Sequence, residues 1–124
     1  MFIKALRDGK EGDMEVKFKV WVEKRGEVVL SNGKFNILKT VDRLGSIHKA
    51  AEQYGMSYRH AWGMVQKIEK RSGIKMLETQ IGGSEGGGAR LTPEGKSFLT
   101  QYEAFSKGLD ELIEKKFRKS FSND

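Results

Sequence analysis

Apolar and polar residues alternate near the start of the chain. From Met14 to Val22 every second residue is apolar, and the residues between them are charged, apart from Trp21. A period of two is typical of a half-buried strand. Residues 24–26 follow as a tight turn, and the β-branched and apolar residues 28–30 are typical of a return strand. The pattern therefore predicts a β-hairpin over residues 14–31.

A change to helical spacing predicts a first helix at residues 34–44. Its apolar stripe ends at Gly45 and consists of Phe35, Ile37, Leu38, Val41 and Leu44. Ser46 is suited to cap a short second helix that ends at Gly55. The residues expected on the buried face of this second helix are Ile47, Ala50, Ala51 and Tyr54. Where it crosses the next helix, small residues are needed, and we expect them to be Ala50, Ala51 and Gly55.

A third helix is predicted only two residues beyond the glycine that ends the second. Ser57 is its expected N-cap, and it ends near Gly73. Its inner face is predicted from spacings of four and three, at Ala61, Val65 and Ile68. Two helices joined by so short a turn are typical of a helix-turn-helix.

A hairpin with a glycine-rich tip follows these helices. Residues 75–80 form a predicted strand, residues 90–92 can pair back, and the loop IGGSEGGGA between them has five glycines in nine residues. A helix-turn-helix followed by a hairpin, or wing, is typical of DNA-binding domains. We therefore predict an α+β fold with a winged helix-turn-helix domain at residues 1–92, in which the helix-turn-helix spans 46–71 and the wing 75–92.

A long helix is predicted at the C-terminal end. Thr92 is a suitable N-cap, and Pro93 occupies the first helical position, where proline is favoured. Apolar residues then repeat in alternating steps of four and three, the spacing of paired helices, at Phe98, Tyr102, Phe105, Leu109 and Leu112. We expect residues 93–124 to form a homodimerisation helix and tail, because the stripe would otherwise be left in water. The alternative is that this stripe packs on the chain's own core.

The outer face of the third helix is the candidate surface for reading DNA. It lies opposite the inner face and carries Tyr58, Arg59, Trp62, Gly63 and Gln66, with Lys67 and Lys70 toward the end. The major groove of duplex DNA is about 12 Å wide and admits one α-helix. Arg59 can donate two hydrogen bonds to guanine, and Gly63 allows close approach. Trp62 either contacts DNA or covers the junction of this helix with the wing.

Phosphate contacts are expected on both sides of that helix. The first turn of the second helix presents Ser46, His48 and Lys49, and helix N-termini favour anions. The wing exposes backbone N–H groups that can follow a sugar-phosphate strand or enter the minor groove. The residues expected to contact DNA are Ser46, His48, Lys49, Ser57, Tyr58, Arg59, Trp62, Gly63, Gln66, Lys67, Gly82, Gly83, Ser84 and Arg90.

Charge and composition indicate the kind of partner and the cellular location. The 124 residues include 23 basic and 17 acidic ones, a net charge of +6 that favours a polyanionic partner. The excess lies before residue 93, since residues 93–124 carry six of each sign. The absence of cysteine, of a signal peptide and of a long apolar run predicts a cytoplasmic protein without a membrane partner.

Catalytic and cofactor chemistry are not expected. The sequence shows no Ser/His/Asp or Cys/His arrangement, so the protein is not predicted to be an enzyme. His48 and His60 are the only histidines, and twelve positions apart without cysteines they do not form a plausible metal site. The glycine loop lacks the lysine and hydroxyl residue of a nucleotide-binding P-loop.

Two segments carry a family resemblance. GSIHKAAEQYGMSYRHAW and LETQIGGSEGGGARLTPEG resemble the N-terminal DNA-binding domain of the molybdate-responsive ModE regulators. Upstream, VWVEKRGEVVLSNGKFNILKTV resembles the strand pair and first helix of single-domain relatives, so the likeness covers roughly residues 14 to 105. LysR-type regulators share only the GSI…AAE…S part. The resemblance implies transcription regulation through double-stranded DNA, with Ser57, Tyr58, Arg59 and Trp62 in the recognition helix.

Length sets this chain apart from full-length ModE proteins. Those proteins append tandem β-barrel domains that bind molybdate, whereas only about a dozen residues are predicted to follow the C-terminal helix here. We therefore expect a single-domain form without the molybdate-binding domain, with effector binding left to a separate protein. The alternative function is a winged-helix adaptor whose outer face binds an acidic protein surface instead of DNA.

Overall fold

The computed structural model describes residues 14–80 and 88–122 of the chain. Strands and helices follow the predicted order, with two separate two-stranded antiparallel sheets. The elements are β1 (Trp21–Lys24), β2 (Glu27–Ser31), α1 (Asn32–Leu44), α2 (Ile47–Gln53), α3 (Tyr58–Ser72), β3 (Leu77–Gln80), β4 (Gly88–Leu91) and α4 (Pro93–Phe121). The predicted α+β fold with an N-terminal hairpin, a helix-turn-helix, a wing and a long C-terminal helix is confirmed.

The first predicted strand was too long. β1 begins at Trp21, and residues 14–20 form neither strand nor helix. The reason lies in the return strand, because Trp21 pairs with Ser31 and Ser31 is also the N-cap of α1. No residue beyond Ser31 is left in the return strand to pair with the earlier segment. The turn itself has positive φ at Arg25 (54°) and Gly26 (80°), as a two-residue hairpin turn requires.

Serine side chains cap the N-termini of α1, α2 and α3. The Oγ atoms of Ser46 and Ser57 accept hydrogen bonds from the backbone N–H groups of Lys49 (3.1 Å) and His60 (3.0 Å), which confirms both predicted caps. Ser31 caps α1 in the same way, so this helix starts at Asn32, two residues before the predicted start. Such caps satisfy backbone donors that the helix leaves unpaired.

The core lies where α1, α2 and α3 meet β2 and the wing. Its least exposed side chains include Leu30, Leu38, Val41, Ala50, Ala51, Ala61, Val65, Ile68, Met76 and Leu77. The predicted inner face of α3 is thereby confirmed, and that of α1 is confirmed in its middle, since Phe35 and Leu44 at its ends are half-buried. Two expectations for α2 were wrong. Tyr54 is 40% exposed, and its hydroxyl lies 3.2 Å from Thr40 Oγ1. Gly55 is also exposed, and its φ of 66° shows that it serves the turn rather than a helix crossing.

Carboxylate side chains of α3 and α1 accept hydrogen bonds from the backbone of the wing. Glu69 on α3 accepts hydrogen bonds through Oε2 from the N–H groups of Met76 (2.8 Å) and Leu77 (3.2 Å), at the start of β3. On the other strand, Leu91 N–H donates to Asp42 Oδ1 of α1 (2.9 Å). The position of the wing relative to α3 is therefore set by side chains as well as by chain connectivity.

A threonine and a glycine join the wing to α4. Thr92 Oγ1 accepts from Gly95 N–H (2.9 Å) and donates to Lys75 O, so the predicted N-cap is confirmed. A Cβ atom at Gly95 would lie only 2.7 Å from Met76 O, closer than real Cβ contacts occur. Glycine is therefore required where the first turn of α4 passes the wing backbone.

The contacts divide the chain into two compact units. One is Trp21–Leu99, which contains the helix-turn-helix and the wing. The other combines Met1–Val20 with Thr100–Asp124, of which the structure describes 14–20 and 100–122. The assignment of residues 1–92 to DNA binding and 93–124 to dimerisation concerns function and stays a prediction.

Polar groups lie within the second unit. Tyr102, Ser106 and Asp110 follow one another at intervals of one turn along α4, and each places a side-chain oxygen out of contact with solvent. Burial raises the pKa of the Tyr102 hydroxyl. Burial and the nearby Glu114 raise the pKa of the Asp110 carboxyl. The C-terminal helix therefore has a partly polar inner side.

Candidate nucleic-acid interface

The predicted outer face of α3 is presented to solvent. Opposite the buried inner face, Tyr58, Arg59, Gln66 and Lys67 are exposed, whereas Trp62 and Gly63 are half-buried. Lys70 continues this face near the helix end and is exposed as well. Arg59 and Lys67 can therefore reach a partner without rearrangement of the core. The role of Trp62, as a DNA contact or as cover for the junction with the wing, stays a prediction.

Two aromatic rings join the first turns of α2 and α3. The rings of His48 and Tyr58 stack with centroids 4.8 Å apart and planes inclined by 29°. Both side chains are exposed, so the pair forms part of the surface. The sequence analysis placed each residue at the interface but missed their contact. The only signal was the position of each residue in the first turn of a helix on either side of a short connection.

The serine caps have a structural task within the candidate site. Ser46 Oγ and Ser57 Oγ each accept a backbone hydrogen bond at the start of a helix. A phosphate at the first turn of α2 would compete with Ser46 for the Lys49 N–H. The side chains of His48 and Lys49 are exposed at this turn, and their predicted contact with phosphate stays a prediction.

Only the base of the wing belongs to the described residues. Arg90 is exposed on β4, and its partner in the strand register is Glu78 of β3. The predicted contact residues Gly82, Gly83 and Ser84 lie outside the described residues. At the neighbouring position of the register, Leu77 and Leu91 are buried and pair with each other.

A positively charged residue that the sequence analysis missed lies beside α3. Lys34 is in the first turn of α1, and its pKa is lowered by partial burial and by the charges of Arg71 and Lys67. Because Lys34 precedes Lys67 by 33 positions, no local pattern connects them. Only the packing of β2, which directly precedes α1, against α3 brings these charges together.

The predicted dimer stripe on α4 is only partly exposed. Phe105 (51%) and Leu112 (62%) are open to solvent, Phe98 and Leu109 are half-buried, and Tyr102 is buried at 5%. Tyr102 is therefore packed within the chain itself. The stripe leaves Phe105 and Leu112, seven residues apart, as its most accessible apolar side chains.

The described part of the chain contains neither a metal-binding cluster nor a membrane-spanning helix. Residues 14–80 and 88–122 contain no group of three or more His, Cys, Asp or Glu residues arranged to hold a metal ion. Within the same ranges, none of the helices combines the length and the apolar character that crossing a membrane requires.

Comparison with known proteins identifies the family. Residues 33–96, slightly more than half of the chain, match the model of the bacterial regulatory helix-turn-helix proteins of the lysR family. The chain belongs to this family. The match extends well beyond the GSI…AAE…S segment to which the sequence analysis confined the LysR likeness. It covers α1 through the first turn of α4, including the wing.

Relatives of this lysR-family chain confirm the resemblance to ModE. The chain is 36% identical over 88 residues to the molybdenum-pterin-binding protein MopB of Rhodobacter capsulatus, and 30% identical over 90 residues to the molybdenum transport protein ModE of Azotobacter vinelandii. These matches cover 71% and 69% of this chain but only 32% and 33% of the relatives. The chain therefore spans about a third of their length. The DNA-binding transcriptional dual regulator ModE of Escherichia coli K12 is 33% identical over 70 residues, which are 56% of this chain and 27% of that protein.

Solved structures confirm the fold. The BenM DNA-binding domain in complex with benA site 1 DNA superposes with a TM-score of 0.52 at 21% identity, covering 73% of this chain and 97% of that one. The same domain with catB site 1 DNA gives a TM-score of 0.53 at 20% identity, covering 77% and 100%. The lysR-family chain thus has the fold of domains that have been crystallised on DNA.

Proposed function

We propose that this protein is a dimeric, sequence-specific regulator of transcription of the ModE type. In this proposal α3 enters the major groove of duplex DNA, and the wing follows the backbone or the minor groove. The protein acts in the cytoplasm, where its duplex partner is found, and carries out no catalytic step. The family, the similarity to ModE proteins and the fold of the BenM domain support the proposal.

The observation that carries the proposal is the composition of the outer face of α3. Arg59, Lys67 and Lys70 are exposed there. The only carboxylate on this helix belongs to Glu69, which accepts hydrogen bonds from the wing. A solvent-facing helix side with cationic and aromatic residues and no free carboxylate is complementary to the acceptor-rich edge of guanine and to phosphates.

Selection of bound duplexes from a random pool tests sequence specificity. With the preferred site known, Arg59→Ala should lower affinity for it by about 1–3 kcal/mol and relax the base preference at one position of each half-site. The matched control is Arg43→Ala, which removes an exposed arginine of α1 and should leave affinity unchanged. Loss of affinity on all duplexes alike would contradict base reading by Arg59. Failure of the wild type to bind any duplex would favour the adaptor function.

The proposal includes a separate effector-binding protein as a partner. The names of two relatives refer to molybdenum, so molybdate and tungstate are the effectors to test. Calorimetric titration of this chain with molybdate and tungstate should give no binding heat. Saturable heat with either oxyanion would contradict this part of the proposal.

A further inference from the structure

Cationic side chains hold the N-terminal hairpin against the end of α3. Arg71 donates through Nη1 to Val28 O (3.0 Å), and its Nε lies 3.5 Å from Glu27 Oε2. Lys24 Nζ donates to Ser72 O (3.3 Å). The C-terminal end of α3 is therefore covered by the hairpin, and part of the positive charge there is neutralised by Glu27.

Lys34 differs from these anchored cations. Among residues 14–80 and 88–122, no carboxylate pairs with its ammonium group. Partial burial lowers its pKa, and so do the like charges of Arg71 and Lys67. Although Glu27 neutralises part of the charge of Arg71, the positive charge of Lys34 carries an electrostatic cost in the free protein, which an anionic partner would reduce.

The same side chain adjoins the face that is proposed to contact DNA. Lys67 follows Gly63 by four residues, so both lie on one side of α3. Arg71, one turn beyond Lys67 on α3, binds Val28 of β2, and Lys34 lies in the first turn of α1, which directly follows β2. This geometry places Lys34 beside Lys67, at the side of the recognition helix. The acidic residues nearest in sequence to Lys34 and Lys67 are Glu27 and Glu69, respectively. Glu27 pairs with Arg71, and Glu69 accepts a backbone hydrogen bond from Met76 at the start of the wing.

We propose that Lys34 and Lys67 contact the sugar-phosphate backbone of duplex DNA at the edge of the groove that α3 enters. This contact is additional to those expected from α2 and the wing. This inference rests on the proposed function. The hairpin acts as a positioning element. Arg71 binds it to α3, and α1, which carries Lys34, begins directly after its last residue. Nonspecific backbone contacts of this kind fix the orientation of a protein on the duplex.

A salt titration of duplex binding tests the contact. Lys34→Gln should reduce the slope of log affinity against log salt by about 0.9, the value for one phosphate contact, with equal losses on preferred and scrambled duplexes. Lys39→Gln is the matched control, since it removes the same charge from an exposed position of the same helix. It should leave slope and affinity unchanged.

The outcomes separate this inference from the proposed function. An unaltered slope in Lys34→Gln, with Arg59→Ala still relaxing specificity, would overturn the contact alone. Absence of salt-dependent duplex binding by the wild type would overturn both.

A second measurement needs no variant. The pKa of the Lys34 ammonium group in the wild type, followed by NMR, should rise when the protein is saturated with duplex DNA, because phosphate stabilises the charged form. No rise would overturn the contact, even if Lys34→Gln failed to fold.

Discussion

At Gly63 the requirements of stability and of function are expected to conflict. Glycine within a helix is unfavourable, and a Cβ atom at this position would meet nothing within 4 Å. Gly63→Ala should therefore raise the free energy of unfolding by about 0.5–1 kcal/mol, as measured by urea denaturation. The added methyl group would, however, keep the helix from the floor of the groove. Affinity for the preferred duplex should fall about tenfold, or ~1.4 kcal/mol.

The matched control for this substitution is in α4. Gly108 is also a helical glycine with open space around its Cβ position. Gly108→Ala should give the same stabilisation without weakening DNA binding. Undiminished duplex affinity in Gly63→Ala would show that the backbone of α3 does not approach the bases at this point.

Single residues were predictable where the interaction is local. The caps at Ser46, Ser57 and Thr92 depend on neighbours three residues away, and all three were predicted from sequence. The stacking of His48 on Tyr58 and the charge cluster around Lys34 depend on packing between elements. Since no short-range pattern encodes such packing, the sequence placed these residues without their contacts.

Among the elements, the first strand of the wing depends on the carboxylate of Glu69. Glu69 accepts two backbone hydrogen bonds at the start of β3, and Glu69→Ala would leave both donors without this acceptor in a largely buried place. We expect a loss of about 1–3 kcal/mol in the free energy of unfolding. Hydrogen exchange at Met76 and Leu77 should quicken. Glu69→Gln keeps an acceptor oxygen and should cost less, and equal losses in the two variants would contradict the assigned role.

The hairpin shows why element boundaries were harder to predict than element types. Alternation from Met14 onward predicted a strand, but a strand needs a partner. The return strand ends where Ser31 caps α1, so pairing stops at Trp21. The end of a helix, by contrast, is encoded locally. Gly45 and Gly73 have φ values of 69° and 77°, and both termini were predicted from these glycines.

For the whole molecule, α4 is the proposed dimer contact. Phe105 and Leu112 expose 51% and 62% of their surface, which a second copy would cover. Leu112→Glu should convert the protein to a monomer in sedimentation equilibrium and weaken binding to a site with two half-sites. Lys107→Gln changes the charge equally at another exposed position of α4 and should leave the dimer intact.

Sedimentation equilibrium of the wild type can also contradict the proposed dimer. A wild-type protein that is monomeric at micromolar concentration would contradict the proposed dimer.

The sequence predicted the whole stripe for the interface, yet Tyr102 packs within the chain. Helical spacing alone does not distinguish a face that is buried within the chain from a face that is buried by a partner. A dimer would place the two recognition helices roughly 34 Å, or a multiple of this, apart along the duplex.

Replacement of guanine by 7-deazaguanine in the preferred duplex tests most directly whether α3 reads the major groove. This change removes the N7 acceptor and leaves the minor groove and the phosphates as they are. At one guanine of each half-site, the wild type should lose affinity by up to about 1–3 kcal/mol, and Arg59→Ala should lose nothing further. Undiminished wild-type affinity at every guanine, or equal losses in both proteins, would contradict the account.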